Sequence, residues 1–262
     1  MTESMAERAG PELTVELGDD YVATLEIDRP PHNFFSFGLI AQIADACEEL
    51  AAGGRCRAIV LCSAGRVFCA GADFGGGPQL SDQGGLHLYD VAQRLFEQPL
   101  PIVAAVQGAA IGGGLGLAMA ADFRVASPQA RFAANFALLG IHQGFALTVT
   151  LPAAIGQQAA MDMLYTGRRV TGEEAVALGL ADELAEPDQV RDQAHAFAAR
   201  IAGSAPLAVR SIRSTMRGPL AAAARTAMER ERTEQERLMQ TTDWREGLAA
   251  VRDRRPASFT GE

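Results

Sequence analysis

The feature that most restricts the fold of this chain is an uncharged run from Pro101 to Ala121. Its length alone would suffice to cross a membrane. However, the run contains Gln107 and five glycines, of which Gly112 to Gly114 are consecutive. It begins with isoleucine and valine and ends with alanine, leucine and methionine. This order predicts a buried strand, a glycine turn and a helix rather than a membrane span.

Strands and helices alternate on both sides of this run. Residues 12–28 alternate between apolar and polar side chains around a Gly-Asp turn, which predicts a hairpin. The other elements predicted before residue 130 are a helix at 37–52, a strand at 57–62, a helix at 86–97 and a strand at 123–126. This alternation is typical of a parallel sheet, so the predicted fold class is α/β.

The second half of the chain has a different pattern. Only two short strands are predicted there, at 131–132 and near 181–184. The helices predicted after residue 131 span 157–164, 172–178, 188–201, 206–216, 220–241 and 242–252. We therefore predict an α/β core over residues 1–185 and a helical C-terminal region over residues 186–262.

The charged residues exclude several classes of function. The formal net charge is -9, whereas a generic nucleic-acid binder needs a basic surface, so nucleic acid is not an expected partner. All 23 basic residues are arginine, which excludes a Schiff-base lysine and the lysine of a phosphate-binding loop. Acid–base chemistry near neutral pH is left to the four histidines, perturbed carboxylates, tyrosine or cysteine.

The cysteines and the first residues of the chain indicate its environment. Cys47, Cys56, Cys62 and Cys69 lack the spacing of a zinc site, and no metal is expected. They lie mostly among small apolar residues, which predicts buried reduced thiols. Residues 1–8 contain no apolar stretch of the kind found in a secretory signal, so a cytoplasmic location is expected.

Two segments offer backbone N–H groups to a ligand. Phe68 to Asp73 follows a buried strand, and open α/β sheets bind ligands at that end of their strands. Gly112 to Gly116 also follows a buried strand and opens a helix, whose first N–H groups are free and carry partial positive charge. A glycine run also serves close packing, and this spacing matches neither a phosphate-binding loop nor a dinucleotide fingerprint. Together the two segments predict an oxyanion hole for a carbonyl that becomes an enolate.

Further motifs accompany these two segments over nearly the whole chain. They include Phe-Cys-Ala-Gly-Ala-Asp at 68–73, Ala-Val-Gln-Gly-Ala-Ala-Ile-Gly-Gly-Gly at 105–114, Ala-Asp-Phe-Arg-Val-Ala-Ser at 121–127 and Leu-Leu-Gly-Ile at 138–141. This set resembles the crotonase, or enoyl-CoA hydratase/isomerase, superfamily. The resemblance implies repeated ββα units and a helical C-terminal region that builds homotrimers, commonly paired into homohexamers. It also implies that Ala72 and Gly113 donate their backbone N–H groups to a thioester oxygen.

The resemblance implies further contacts with coenzyme A. The Ala70 carbonyl would meet the adenine end of CoA, and Arg66 matches a basic position near the CoA phosphates. The C-terminal segment with Arg254, Arg255 and Phe259 resembles the part of the family that closes over CoA, often from a neighbouring subunit. CoA would thus be carried as the substrate thioester, and no separate cofactor is expected.

Three departures from the family pattern affect the expected reaction. Hydratases of the family use two glutamates to add water, and Gly116 and Phe136 stand at those positions. Neither residue can move a proton, so ordinary hydration is not expected. Gly75 to Gly77 stand where the family often has a lysine. Without that lysine, binding of the CoA phosphates is expected to be weaker or to be taken over by arginine.

Other residues must then supply any acid–base chemistry. His142 is one candidate, with a hydrogen-bonded loop residue as the alternative. Tyr89 is the second, with a packing residue as the alternative. His87 is two positions before Tyr89, so at most one of the pair points into the pocket; the alternative for His87 is an exposed helix position. His32 is a further candidate or a solvated turn residue, and His195 is expected on the surface.

Two aspartates and four phenylalanines complete the candidate residues. Asp73 and Asp122 are interpreted as carboxylates that cap loops. An apolar acyl pocket is predicted from Phe34, Phe35, Phe136 and Phe145.

Two functions follow from these observations, and both have acyl-CoA as the small-molecule partner. The first is an enzyme that stabilises a thioester enolate. Isomerisation, decarboxylation, hydrolysis, retro-aldol cleavage and an atypical hydration are open to it. The second is a catalytically silent acyl-CoA-binding subunit, which the absence of both glutamates favours.

Overall fold

A computed structural model describes residues 6–10, 12–74 and 80–262. The strands are β1 (Ala6–Gly10), β2 (Leu13–Leu17), β3 (Val22–Ile27), β4 (Ala58–Ser63), β5 (Ile102–Val106), β6 (Ala109–Ile111), β7 (Phe123–Ala126), β8 (Arg131–Ala133), β9 (Arg169–Thr171) and β10 (Glu183–Leu184). The α-helices are α1 (Phe37–Ala52), α2 (Leu88–Glu97), α3 (Gly113–Ala120), α4 (Leu147–Ile155), α5 (Gln157–Thr166), α6 (Gly172–Leu178), α7 (Val190–Ala202), α8 (Pro206–Leu238) and α9 (Thr242–Arg252). A short 3-10 turn spans Ala137–Leu139.

Seven strands form one sheet in the order β1-β2-β3-β4-β5-β7-β10. β2 and β3 form the predicted antiparallel hairpin, with Leu13 opposite Ile27 and Leu17 opposite Ala23. From β3 onward, neighbouring strands run parallel. Every residue of β4 and β5 is buried, as expected for parallel strands with both faces covered. The predicted α/β class is thus confirmed, while the edge strand β1 is absent from the sequence prediction.

The two faces of this sheet pack against different elements. Val60 of β4 points to one face, where it belongs to an apolar cluster with Ala194 and Ala198 of α7. Ile59 and Leu61 point to the opposite face and belong to the larger core. α7 therefore covers one side of the parallel sheet, as the alternation of side chains along a strand requires.

A second sheet of three short strands, β6-β8-β9, holds the turn that opens α3. β6 runs parallel to β8, and β8 runs antiparallel to β9. The Gly112 N–H donates to the Ala133 carbonyl at 2.8 Å, so this sheet leads directly into α3. The sequence predicts β8 but misses β6 and β9; all three strands have only three residues and so show little alternation.

The uncharged run from Pro101 to Ala121 forms β5, β6 and α3 rather than one long helix. No helix in the described ranges is long and apolar enough to cross a bilayer. In the same part of the chain, no three or more His, Cys, Asp or Glu side chains cluster in a way that would hold a metal ion.

The separate helices predicted at 206–216 and 220–241 are wrong, because α8 is one continuous helix. A proline inside a helix removes one hydrogen bond and crowds the preceding turn, which normally ends or bends the helix. Here tertiary contacts hold the helix on both sides of Pro219. Before it, Arg213 pairs with a buried carboxylate; after it, Ala224 packs in the core.

The sequence prediction also misses α4. Its threonines, its valine and the internal Pro152 weaken the helical pattern. The residue before it, Ala146, has a φ of +61° and supplies no side-chain cap. The usual start signal of a helix is therefore missing from the sequence.

All four cysteines are free and buried, as predicted. Burial raises the pKa of the Cys47, Cys62 and Cys69 thiols to about 12 and that of Cys56 to about 11. Because the thiolate is the reactive form, we expect no reaction with the disulfide reagent DTNB in the native protein at pH 8. Denaturation in guanidinium chloride should then release all four thiols. A thiol that reacts in the native state would contradict this prediction.

Candidate active site

The loop that follows β4 lies beside the start of α3. The Cys69 N–H donates to the Ala109 carbonyl, and the Ile111 N–H donates to the Cys69 carbonyl, both at 3.0 Å. On the other side of the loop, the Phe35 N–H donates to the Gly71 carbonyl at 3.0 Å. The loop is thus tied to β6 on one side and to the chain before α1 on the other.

Two glycines allow these backbones to meet. Gly71 has a φ of +89°, and a Cβ atom there would lie 2.9 Å from the Ile111 carbonyl oxygen and 3.5 Å from the Gly113 nitrogen. A Cβ atom at Gly114 would lie 2.0 Å from the Cys69 carbonyl oxygen. Neither position has room for a side chain, so both glycines serve close packing. That packing is what brings the loop next to the first residue of α3.

The close packing places two N–H groups at one cavity. The first intrahelical hydrogen bond of α3 runs from the Gly116 N–H to the Gly112 carbonyl at 3.1 Å, and Gly112 supplies no side-chain cap. No hydrogen bond to another described residue occupies the Gly113 N–H, which lies at the positive end of the helix dipole. Ala72 lines the same cavity, and no hydrogen bond of the described residues occupies its N–H. The structure thus brings together the two residues predicted to form the oxyanion hole.

The cavity has a volume of about 660 Å³ and a mostly apolar lining. All four phenylalanines predicted for an acyl pocket line it: Phe34, Phe35, Phe136 and Phe145. Its polar side chains are Asp73, Tyr89, Asn135, Gln235, Arg245 and Arg252. Among the described lining residues, Asp73 is thus the only carboxylate, and there is no histidine.

The two positions at which the resemblance implies a hydratase glutamate, Gly116 and Phe136, lie in apolar packing. The buried Phe136 lines the cavity. At Gly116, an added Cβ atom would lie 2.4 Å from the Cβ atom of Phe145, so this position has no room for a side chain. Phe145 therefore takes the space that a side chain at position 116 would need.

Tyr89 lines the cavity, as its interpretation as an acid–base candidate requires. Its hydroxyl donates to the Gln235 Oε1 atom at 2.8 Å. Burial raises the pKa of this phenol, and the nearby Glu231 carboxylate raises it further. Tyr89 is therefore held as a protonated hydrogen-bond donor on the cavity wall.

His142 is not among the residues that line the cavity. Its Nδ1 atom lies 2.8 Å from the Gln143 carbonyl oxygen, and its own carbonyl accepts from the Gln235 Nε2 atom at 3.0 Å. This geometry is that of the hydrogen-bonded loop residue, and it gives no support to the acid–base role predicted for His142.

The other three histidines lie outside the cavity lining. His87 caps α2 by accepting from the Tyr89 N–H at 3.1 Å, and it is buried, so the exposed position expected for it is wrong. Burial lowers the pKa of its imidazole. His32 is an exposed turn residue whose ring packs against Phe34. His195 is partly exposed on α7, 3.5 Å from an aspartate.

The residues expected near CoA before α3 lie in different places. Ala70 lines the cavity, and its N–H donates to the His32 carbonyl at 3.0 Å. Arg66 is exposed and does not line the cavity. Gly75 to Gly77, expected to weaken the grip on phosphate, lie outside the described residues.

The C-terminal segment folds onto the start of α9 of its own chain. Arg255 pairs with Glu246 at 2.6 Å, and backbone N–H groups near the C-terminus donate to Asp243. Arg254 and Phe259 are exposed, and neither they nor Arg255 line the cavity of the same chain. Their predicted closure over the CoA of a neighbouring subunit stays a prediction.

Two arginines that line the cavity, Arg245 and Arg252, are not predicted from the sequence. They are seven residues apart on α9 and so lie on one side of the helix. This spacing was available in the sequence, but many exposed helices carry arginines at such intervals. Asn135, the neighbour of Phe136, is also missed, because it belongs to no recognisable sequence pattern.

Two residues of α8 are missed as well, Glu231 and Gln235, both of them buried. They continue the buried face that carries Ala224 and Met228, at the spacing of a helix. A polar residue at an apolar position is the signal that would have found them.

The fold and the cavity define a crotonase-type α/β protein. A sequence profile for enoyl-CoA hydratase/isomerase matches residues 18–262. The Bacillus subtilis protein YngF, named among the enoyl-CoA hydratases/isomerases, is 31% identical over 258 residues, which cover 96% of this chain and 99% of YngF.

Solved structures agree with this match. An enoyl-CoA hydratase/isomerase from Pseudoalteromonas atlantica T6c has a TM-score of 0.88 at 30% identity, with 95% of this chain and 100% of that chain covered. Carnitinyl-CoA hydratase from Mycobacterium avium has a TM-score of 0.86 at 28% identity, with 97% and 100% covered. The chain belongs to the enoyl-CoA hydratase/isomerase family of the crotonase superfamily, and it is an acyl-CoA-processing enzyme of that type.

Proposed function

We propose that this protein stabilises the enolate of an acyl-CoA thioester with the backbone N–H groups of Ala72 and Gly113. The observation that carries the proposal is the pair of free N–H groups at one apolar cavity. The thioester oxygen gains negative charge as the enolate forms, and donors fixed in advance stabilise that charge more than they stabilise the neutral carbonyl. An apolar lining that excludes water strengthens this attraction.

The proposed reaction differs from hydration by two glutamates. The space beside Gly116 is filled, Phe136 is apolar, and Asp73 is the only carboxylate among the described lining residues. Such a site best suits an enolate that forms without a strong protein base. Decarboxylation is the simplest case: the bond from Cα to the carboxylate breaks, carbon dioxide leaves, and the electron pair enters the enolate. The enolate carbon then takes a proton from solvent water, which completes the saturated thioester product.

The same site leaves isomerisation, hydrolysis, retro-aldol cleavage and an atypical hydration as candidates, since each develops negative charge on the thioester oxygen. CoA is proposed as part of the substrate and not as a resident cofactor. The positive charges of Arg245 and Arg252 at the cavity suit a ligand that carries phosphates. A homotrimer or homohexamer is proposed from the family resemblance, and the cytoplasmic location stays a prediction.

Mass spectrometry of the purified protein with a panel of acyl-CoA thioesters tests the proposal. The panel spans saturated, enoyl, β-keto, malonyl-type and aromatic acyl groups. We expect turnover of at least one thioester, with loss of carbon dioxide from a malonyl-type ester as the first candidate. Release of free CoA would indicate hydrolysis, and gain of one water on an enoyl ester would indicate an atypical hydration.

The silent acyl-CoA-binding subunit is the alternative, favoured by the apolar residues at positions 116 and 136. It predicts tight binding of a CoA ester without any change in its mass. Absence of both binding and turnover across the panel would contradict both functions.

A further inference from the structure

The loop between the 3-10 turn and α4 has a backbone conformation that it would not adopt unaided. Phe145 and Ala146 both have positive φ angles, +58° and +61°. Residues with a side chain rarely occupy this left-handed region, and two in succession are costly. Phe145 is nevertheless almost fully buried, so the surrounding structure must hold this turn in place.

The side chain that holds the turn is Glu231 of α8. Its Oε2 atom accepts from the Ala146 N–H at 2.8 Å, and its Oε1 atom accepts from the Thr148 N–H at 3.0 Å and the Thr148 hydroxyl at 2.6 Å. The carboxylate is fully buried, and no arginine among the described residues pairs with it. A buried carboxylate with three donors from one short loop fixes the position of that loop.

This backbone turn places the Phe145 ring on the cavity wall. The Phe145 ring centroid lies 5.7 Å from that of Phe35 and 6.5 Å from that of Tyr89. A Cβ atom at Gly113 would lie 2.5 Å from the Phe35 ring. The three aromatic rings therefore form a continuous wall that starts beside Gly113. Phe145 lies at the centre of this wall and also fills the space beside Gly116.

We infer that Phe145 limits the length of the acyl group and that Glu231 is the positioning residue that keeps it there. This inference rests on the proposed function, because it requires that the cavity binds the acyl part of a CoA thioester. It assigns this protein to short acyl groups, which end at the Phe145 ring. The two residues come from separate segments of the chain: Phe145 from the loop before α4 and Glu231 from α8.

The test measures binding of saturated acyl-CoA thioesters, so it does not depend on the unknown reaction. Trp244 is the only tryptophan, and its ring lies edge-on to Phe74, which lines the cavity, at 5.0 Å. Its fluorescence can therefore report binding. The dissociation constants of butyryl-CoA and octanoyl-CoA are compared for the wild type and the variants Phe145→Ala, Glu231→Gln and Glu234→Gln.

We expect the wild type to prefer butyryl-CoA. Phe145→Ala should shift the butyryl-to-octanoyl affinity ratio towards octanoyl by about tenfold or more, since each buried methylene raises affinity roughly fourfold. Glu231→Gln should shift the ratio in the same direction, because an amide cannot accept hydrogen bonds at both of its heavy atoms. Glu234→Gln, on the same helix but paired with Arg230 and Arg237, should leave the ratio unchanged.

A merely destabilised protein would lose affinity for both thioesters equally, so the ratio separates positioning from folding. If Glu231→Gln does not fold, Thr148→Val removes only the hydroxyl donor and should give a smaller shift in the same direction. An unchanged ratio in Phe145→Ala, or in every folded variant of the Glu231 contact, would overturn the inference. Failure of the wild type to bind either thioester would overturn this inference, whereas the proposed function fails only if no thioester of the wider panel is bound or turned over.

Discussion

Replacing Ala72 with proline is expected to lower kcat/KM by about 10²–10³-fold for any thioester that the wild type turns over, since this is the usual effect of losing one oxyanion donor. Proline has no backbone N–H, so the substitution deletes one of the two proposed donors and leaves that of Gly113 in place. The bond to the oxygen strengthens as the enolate forms. The loss should therefore appear mainly in kcat, with a smaller change in KM.

The control for this substitution is Ala72→Gly, which keeps the N–H and should keep most of the activity. Proline at this position also restricts Gly71, whose φ is +89°, so the fold of the variant must be checked. Circular dichroism and binding of a saturated thioester, followed by Trp244 fluorescence, provide that check. A folded Ala72→Pro protein with wild-type turnover would remove the basis of the proposed function.

The backbone part of the site could be predicted from the sequence because its two segments are rich in glycine, which is easily recognised. Gly71 and Gly114 stand where two backbones touch, and no other residue fits there. The sequence pairs the segments that carry Ala72 and Gly113 because each follows a buried strand, and the structure adds that these two glycines let the segments touch. The four phenylalanines of the cavity are predicted only as apolar neighbours of the expected site.

Of the polar side chains that complete the site, the sequence predicts Tyr89 as a candidate but none of the hydrogen-bond partners, because these partners lie far apart along the chain. The Tyr89 hydroxyl donates to Gln235, which lies 146 positions later. His142 is adjacent to a family motif, yet its ring stays with its own loop. The continuity of α8 through Pro219 is likewise decided by contacts with the core, which no local pattern contains.

The sequence has glycine at 116 and phenylalanine at 136, where the family resemblance implies the glutamates of a hydratase, but it does not reveal what surrounds these two positions. Only the structure shows that Phe145 occupies the space beside Gly116. The position is therefore closed by a side chain from another segment and is not an empty pocket. A glutamate at 116 would require Phe145 to move, and the hydrogen bonds of Glu231 oppose that movement.

Replacing Asp122 with alanine is expected to lower the free energy of unfolding by about 3–5 kcal/mol, the usual cost of leaving a buried charge without its partner. The sequence predicts Asp122 to be a loop-capping carboxylate, and the structure confirms this. Its Oδ2 atom accepts from the Ile102 N–H at 2.8 Å and from the Arg213 Nε atom at 3.0 Å. Its Oδ1 atom lies 3.2 Å from the Arg217 Nε atom.

The matched control is Asp45→Ala. Asp45 also pairs with an arginine, Arg94, at 2.6 Å, but its side chain is 58% exposed. Exposed ion pairs contribute about 0–1 kcal/mol, so this variant should differ little from the wild type. Urea denaturation followed by circular dichroism measures both values. Similar losses in the two variants would show that burial of Asp122 does not matter.

The size of the Asp122 effect also bears on how the two parts of the chain are connected. Asp122 joins the start of β5, in the α/β core, to α8, which lies beyond the predicted boundary at residue 185. If core and helical region unfold as one cooperative unit, loss of this link lowers the stability of the whole chain in a single transition. We expect that single transition in Asp122→Ala. Because α8 also carries Glu231, two separate transitions, with thioester binding lost in the first, would show instead that α8 releases the Phe145 turn before the core unfolds.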